Sequence, residues 1–115
     1  MITVDPGSAT HPTEQIRSQL GDQILSGELA GGQRIPSIRQ LAADLRVAPG
    51  TVAKAYAQLE SEGLLETSRG RGTHIVPGKG HPAGVRRAAE KYVAAVPDLT
   101  LEQALSAVRA AWPGA

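Results

Sequence analysis

The residues of this chain best suited to binding chemistry are basic and lie in two short segments. Residues 34–54 carry a net charge of +3 and residues 69–80 another +3, whereas residues 1–33 and 55–68 carry −3 each. The basic residues in the two segments are Arg34, Arg39, Arg46, Lys54, Arg69, Arg71 and Lys79. Grouped positive charge favours phosphate binding with release of counterions, although merely solvated faces produce similar runs.

Nothing in the sequence predicts an enzyme or a metal protein. The carboxylates are not paired near a nucleophile, so no catalytic residue is expected. Because the chain contains no cysteine, it can form neither a disulfide nor a thiolate metal site. His11, His74 and His81 lack the spacing of metal ligands and are interpreted as surface or wing residues. We therefore expect no metal and no cofactor.

The run from Ile35 to Leu45 predicts a short amphipathic helix. Ser37 precedes Gln40 by three positions, and a Ser-x-x-Gln pair opens helices as a capping box, in which each side chain bonds the backbone of the other residue. We expect the helix to start at Ser37. Apolar residues at helical spacing predict a stripe that faces the core, formed by Ile38, Leu41, Ala42 and Leu45.

A second helix is predicted from about Pro49 to Glu62, after a three-residue turn that holds Val47 against the core. Proline is favoured in the first turn of a helix, and Gly63 suits the left-handed conformation that ends many helices. The apolar stripe of this helix is Val52, Ala55, Tyr56 and Leu59. Since Tyr56 lies on that stripe, we expect it in the core rather than stacked on a base.

A β-hairpin is predicted after the second helix. Residues 65–67 and 73–75 alternate as strands do, and the glycines of the intervening "RGRG" permit a tight tip from which Arg69 and Arg71 project. Two helices followed by a basic hairpin suit duplex DNA: one helix enters the major groove and the hairpin, or wing, contacts the neighbouring backbone or minor groove. The predicted fold class is mainly α with a small β-hairpin wing, a winged helix-turn-helix.

These residues resemble the GntR family of transcriptional regulators, in particular its short YtrA-type branch. The pattern G-x-x-I/L-P-S-x-R-x-L-A-x-x-L-x-V matches residues 32–47, T-V-x-x-A-Y-x-x-L-E-x-E-G matches residues 51–63, and the family's G-x-G-T motif ending in Val matches residues 70–76. The upstream segment is similar to the family's first helix, with its packing residues at Ile16, Leu20 and Ile24.

The resemblance implies a homodimeric, sequence-specific DNA-binding regulator, a repressor that binds an inverted-repeat operator. Family members contact DNA through three parts of the domain. These are the start of the helix that corresponds to residues 37–45, the start of the following helix, called the recognition helix, and the wing. In this chain those positions are Ser37, Arg39, Ala48, Pro49, Gly50, Thr51, Arg69, Gly70 and Arg71, and Lys54 is added as a cation off the apolar stripe. Many members have Ser-Arg where this chain has Ala48-Pro49, so operator preferences of other branches do not transfer.

Two further helices are predicted after a "PGKGHP" linker, the second opened by a Thr100–Gln103 capping box. They are too short to cover both apolar stripes and also enclose a ligand pocket. We expect the stripes to form a dimer interface, as the family's short branch implies; the alternative is that they fold back on the same chain. The predicted dimerisation residues are Val85, Ala89, Tyr92, Val96, Leu101, Leu105, Val108 and Trp112.

The expected organisation is a flexible N-terminus (1–11), a DNA-binding domain (12–77), and a linker with a two-helix dimerisation tail (78–115). With no signal peptide and no apolar stretch of roughly 20 residues, the protein is expected in the cytoplasm, away from membranes. A small-molecule effector is left open without an identity. The rival functions are a winged helix that binds only other proteins, which would need an exposed apolar patch, and RNA binding, which the scarcity of aromatic residues disfavours.

Overall fold

The computed structural model describes residues 2–114, which form five helices and one β-hairpin. The elements are α1 (Pro12–Ser26), α2 (Ile38–Leu45), α3 (Pro49–Ser61), β1 (Leu65–Ser68), β2 (Gly72–Ile75), α4 (Ala83–Ala95) and α5 (Leu101–Ala111). The predicted fold class, mainly α with a β-hairpin wing, is confirmed. The chain divides into two compact units, one up to His81 and one from Pro82 onwards.

The core of the first unit is built from the predicted apolar stripes. Helix α3 packs against α1, α2 and β1, so its stripe is surrounded on several sides. Tyr56 is buried, as predicted, and its hydroxyl donates to the carbonyl oxygen of Pro36 at 2.7 Å. The other buried core residues of the three helices are Ile16, Leu20, Ile24, Leu41, Ala42, Val52, Ala55 and Leu59. Ile38 and Leu45 of the α2 stripe are half-buried against this core.

Helix α2 begins as predicted, but only half of its capping box forms. The Ser37 hydroxyl oxygen accepts from the backbone N–H of Gln40 at 3.1 Å. The Gln40 side chain donates instead to Asp44 Oδ1, one turn further on, at 2.8 Å. The predicted turn of residues 46–48 separates α2 from α3, and Val47 is half-buried against the core.

The wing, residues 65–75, is a two-stranded antiparallel hairpin in which Leu65 pairs with Ile75 and Ser68 with Gly72. Gly70 has φ +79° and Gly72 has φ +68°, a conformation that side chains with a Cβ disfavour, so the glycine-rich tip is confirmed. Residues 32–35 add a short third stretch beside β2, with an isolated bridge between Arg34 and His74. The wing is therefore anchored to the segment that leads into α2.

The N-terminal residues, for which the sequence predicts flexibility, lie along α1. Ile2 is 6% exposed and belongs to the core. The Gln19 side-chain amide pairs with both the N–H and the carbonyl of Thr3, at 2.9 and 2.6 Å. Gln15 does the same with Asp5, at 2.8 and 3.0 Å. Two glutamines one helical turn apart thus take the role that a neighbouring strand would have.

The second unit is a helical hairpin. The hydroxyl of Tyr92 on α4 donates to the carbonyl of Ala104 on α5 at 2.8 Å. The predicted capping box of α5 is complete, with Thr100 and Gln103 each bonding the backbone of the other. Neither α4 nor α5 contains a buried residue. Residues 78–81, predicted as linker, belong to the first unit, where the His81 N–H donates to the Leu25 carbonyl at 2.7 Å.

Candidate nucleic-acid interface

The N-terminal end of α3 is open to solvent. Ala48 is its N-cap and supplies no side-chain acceptor, and the space around Gly50 is empty within 4 Å of where a Cβ would lie. The first amides of a helix point outward along its axis and carry the positive end of its dipole. An uncapped, unobstructed first turn therefore suits the approach of a nucleic-acid backbone and base edges.

Thr51 lies at this end but is half-buried rather than exposed. Its backbone carbonyl accepts from the hydroxyl of Thr13, in the first turn of α1, at 3.2 Å. This bond fixes the start of α3 against α1. The other predicted DNA-binding residues are exposed: Ser37, Arg39, Ala48, Pro49, Gly50, Lys54, Arg69, Gly70 and Arg71.

A hydrogen-bonded link holds the wing beside α3. The Thr67 hydroxyl on β1 donates to Glu60 Oε1 on α3 at 3.3 Å, and Thr67 and Thr73 join their hydroxyls across the hairpin at 3.0 Å. The backbone N–H of Arg71 donates to the carbonyl of Ser68 at 3.3 Å and closes the tip. The spacing between α3 and the basic tip is thus set by packing and polar contacts rather than by a free loop.

Some charged side chains of the first unit are compensated by an ion pair, whereas others are uncompensated. Arg17 on α1 forms ion pairs with Glu14 and, at 3.5 Å, with Glu62. The hydrogen bond from Arg17 lowers the pKa of the Glu14 carboxyl and raises that of the guanidinium. Within residues 2–114 no ion pair involves the cations of α2, α3 or the wing tip, namely Arg39, Lys54, Arg69 and Arg71. Those cations remain available for phosphate.

His74, interpreted from the sequence as a surface or wing residue, lies in the wing but is buried. Its Nε2 is 3.8 Å from Glu66 Oε2, and its Nδ1 is 3.4 Å from the carbonyl oxygen of Gly72. The surface assignment was wrong because β2 is flanked on both sides, by β1 and by the stretch around Arg34. Alternation along the strand predicts only that His74 and Ile75 face opposite sides.

Arg34 is not among the DNA-binding residues predicted from the sequence, although it lies in the first basic segment. The bridge to His74 brings it to the wing, where its guanidinium lies over Gly72. Only the pairing of residues 32–35 with β2 creates this proximity. No local signal in the sequence indicates that pairing.

The apolar stripes of the second unit are largely exposed. Leu101 is 72% exposed and Trp112 is 66% exposed, and Val85, Ala89, Leu105 and Val108 are exposed as well. Of the predicted dimerisation residues only Tyr92 and Val96 are half-buried. Val93 and Leu99, which the predicted stripe omitted, add to the exposed apolar surface. The hairpin by itself covers little of its own apolar area.

The surface of residues 2–114 also carries open grooves, of about 490 Å³ along α1 and about 550 Å³ along α5. No described helix is long and apolar enough to cross a bilayer, and no group of three histidine or acidic side chains is arranged around a common point for a metal ion. A half-enclosed apolar cavity of about 210 Å³ lies beside Ile2, Ile35 and Tyr56. Sites for small-molecule ligands usually measure roughly 300–1,000 Å³, so this cavity is small for one.

Comparison with known sequences identifies relatives of the first unit. Residues 12–75 match the family described as bacterial regulatory proteins, gntR family. Over 75 residues the chain is 48% identical to the HTH-type transcriptional repressor YtrA of Bacillus subtilis (strain 168). That alignment covers 65% of this chain and 58% of the repressor, so the chain matches little more than half of the relative's length.

Solved structures resemble the chain in fold. YtrA from Sulfolobus acidocaldarius, a GntR-family transcription factor, aligns with TM-score 0.62 and 33% identity over 83% of this chain and 97% of that one. The DNA-binding domain of AraR in complex with operator ORX1 aligns with TM-score 0.58 and 25% identity, over 66% of this chain and 96% of that one. The matched segment 12–75 runs from the start of α1 to the end of β2, the elements that carry the exposed cations.

Proposed function

Because the chain belongs to the gntR family of bacterial regulatory proteins, we propose that it is a transcriptional regulator whose winged helix binds duplex DNA in a sequence-specific manner. The observation that carries the proposal is the uncompensated charge beside an open helix end. Arg39, Lys54 and the wing-tip arginines are exposed and outside every ion pair of the described residues, while Arg17 is paired with acids. The AraR domain, which has the same fold, was solved on an operator.

The binding mode follows from the shape of the first unit. The first turn of α3 enters the major groove, where Gly50 allows close approach and the Thr51 hydroxyl bonds a base edge. Arg39 and Lys54 bind phosphates on either side of that groove. Arg69 and Arg71 follow the adjacent backbone or minor groove at the distance that the Thr67–Glu60 link sets.

The second unit joins two copies of the chain. Its exposed apolar stripes, with Leu101 and Trp112 as the largest contributors, favour association by roughly 25 cal/mol for each Å² removed from water. A second copy related by a two-fold axis presents the same stripes and makes a self-complementary interface. Two winged helices arranged in this way match the half-sites of an inverted repeat.

The regulator acts as a repressor in the bacterial cytoplasm, where the chromosome is located. The Bacillus subtilis relative is named a transcriptional repressor, and it is 48% identical to this chain over 75 residues. A dimer seated on an operator represses by occupying DNA that polymerase needs.

The experiment begins with selection of genomic fragments by the purified full-length protein, followed by footprinting to define an operator duplex. Parent, Thr51→Ala and Arg71→Ala are then titrated on that operator and on a scrambled duplex at several salt concentrations. Arg109→Ala on α5 is the matched control for loss of one arginine outside the winged helix.

Base contacts carry sequence preference, whereas phosphate contacts carry affinity for any duplex. Thr51→Ala is expected to lower operator binding by roughly 1–3 kcal/mol while sparing the scrambled duplex. Arg71→Ala weakens both duplexes together and reduces the salt slope by about one per protomer. Equal binding of operator and scrambled duplex by the parent at every salt concentration would refute the proposal.

A further inference from the structure

Arg34 lies at the wing although it belongs to the segment before α2. The N–H of Ile35 donates to the carbonyl of Thr73 at 3.0 Å, and the N–H of Ile75 donates to the carbonyl of Gln33 at 2.9 Å. These two bonds flank the bridge between Arg34 and His74. Residues that face each other across an antiparallel pair project to the same side of the sheet, so the Arg34 side chain leaves the sheet on the side of His74 and Gly72.

The guanidinium of Arg34 is held over Gly72, next to the wing tip. A Cβ at Gly72 would lie 3.1 Å from Arg34 Nε and 3.2 Å from one terminal nitrogen. Glycine at this position therefore does two things: it adopts φ +68°, and it leaves room for the guanidinium. The next residue towards the tip is Arg71, so the Arg34 guanidinium lies beside the residue that adjoins Arg71 in the chain.

The hydrogen-bonding capacity of this guanidinium is unused within the described residues. Glu66, the nearest acid on the same face of the sheet, has its ion pair with His74. Arg34 is exposed and makes neither an ion pair nor a side-chain hydrogen bond among residues 2–114. An arginine whose planar fork is positioned by packing and left without an anion is well suited to bind phosphate.

We infer that Arg34 is a phosphate contact of the DNA interface, placed between the start of α2 and the wing tip. It lies three residues before Ser37 and beside Gly72, the residue that follows Arg71 in the hairpin. The wing then holds the backbone with three arginines, one of them supplied by a separate segment and fixed by Gly72. This inference rests on the proposed DNA-binding function, which it extends by one residue with an assigned role.

The test compares single-charge variants of the full-length protein on a random-sequence duplex, because a phosphate contact does not depend on base sequence. Arg34→Gln removes the charge and Arg34→Lys keeps it. Arg17→Gln is the matched control, since it makes the same change at a guanidinium that already has two carboxylate partners. The readout is the slope of log Kobs against log salt, with thermal unfolding of each variant as a check on the fold.

Arg34→Gln is expected to reduce the slope by about 0.9 per protomer, while Arg34→Lys and Arg17→Gln keep the slope of the parent. A parental slope for Arg34→Gln overturns the inference. An equal fall for Arg34→Lys and Arg34→Gln overturns it as well, because the loss would then come from wing geometry rather than charge. If the parent itself binds without salt dependence, the proposed function fails, and that result is distinct from a failure of Arg34 alone.

Discussion

Both units of this chain have helices with regular apolar stripes, but the stripes are packed in the first unit and exposed in the second. In the winged helix the apolar stripes pack against other elements, and Leu59 in the last turn of α3 is fully buried. In the helical hairpin the stripes are equally regular, yet no residue of α4 or α5 is buried and Leu101 is mostly exposed. Helical periodicity therefore predicts that a face needs a partner, but it does not specify whether that partner is the same chain.

The contrast extends to the tyrosines, one in each unit. The hydroxyls of Tyr56 and Tyr92 donate to the backbone carbonyls of Pro36 and Ala104, at 2.7 and 2.8 Å. The Tyr56 side chain is almost fully buried, although its partner Pro36 is exposed, whereas Tyr92 is half-buried between two exposed helices. The two hydrogen bonds are alike, but the two tyrosine side chains differ in their access to water. The same substitution, tyrosine to phenylalanine, can therefore be compared at both positions.

The largest difference is expected between Leu59→Ala and Leu101→Ala. Leu59→Ala leaves a cavity in the winged-helix core and should lower the free energy of unfolding by roughly 2–5 kcal/mol. Leu101→Ala removes a side chain that is exposed in the single chain and should change it by about 0.5 kcal/mol or less. Urea unfolding followed by circular dichroism, at a concentration where dimers have dissociated, gives both values. A loss for Leu101→Ala as large as that for Leu59→Ala would mean that the hairpin has a core of its own.

An intermediate difference is expected between the two tyrosine variants. Tyr56→Phe leaves the part-buried Pro36 carbonyl without its donor and should cost about 1–3 kcal/mol. Tyr92→Phe lets water replace the lost hydroxyl at Ala104 and should cost about 1 kcal/mol or less. Thermal unfolding of the two variants beside the parent measures the gap. Equal costs would show that burial does not distinguish the two sites.

Alkaline pH sharpens the tyrosine comparison. Burial raises the pKa of Tyr56 from 10.0 to about 12. The folded chain therefore keeps this proton at pH values where the unfolded chain has lost it, and the free energy of unfolding falls as the pH rises from 10.0 to about 12. Unfolding measured across that interval should show a shallower decline for Tyr56→Phe than for the parent. An unchanged slope would contradict burial of the ionisable hydroxyl.

The smallest difference is expected between the two helix caps. Ser37→Ala removes the acceptor for the Gln40 amide in the packed unit, and Thr100→Ala removes the equivalent acceptor for Gln103 in the hairpin. Each cap should contribute about 1 kcal/mol. We expect Ser37→Ala to lower the melting temperature of the winged helix, and Thr100→Ala to lower helical content while leaving that melting temperature unchanged. A drop in melting temperature for Thr100→Ala would show that the units unfold together.

Local features of the sequence were sufficient to predict most elements of the fold. The serine cap of α2, the first-turn proline of α3 and the glycines of the wing tip act over a few residues, and each is found where the pattern places it. The exposed positions of the interface follow from the same periodicities. Arg39 and Lys54 are exposed because they lie off the apolar stripes.

The features that the sequence did not predict depend on contacts between distant segments. His74 is buried because residues 32–35 pair with β2, and Arg34 reaches the wing for the same reason. Ile2 enters the core because Gln15 and Gln19 bond the backbone of the N-terminal residues. Residues 32–35 pair with β2 through a single bridge, and Gln15 and Gln19 bond the N-terminal backbone through their side chains. Neither kind of contact leaves a periodic pattern in the sequence.

We propose that the two units have separate roles: the winged helix folds by itself, and the helical hairpin joins two copies of the chain. Sedimentation equilibrium of the full chain and of a chain ending at His81 tests it most directly. We expect a dimer for the full chain. For the shortened chain we expect a monomer that still unfolds cooperatively. It should bind an operator more weakly, because the copies that occupy the two half-sites are no longer tethered to each other. A shortened chain that sediments as a dimer, or a full chain that stays monomeric at every concentration, would contradict the claim.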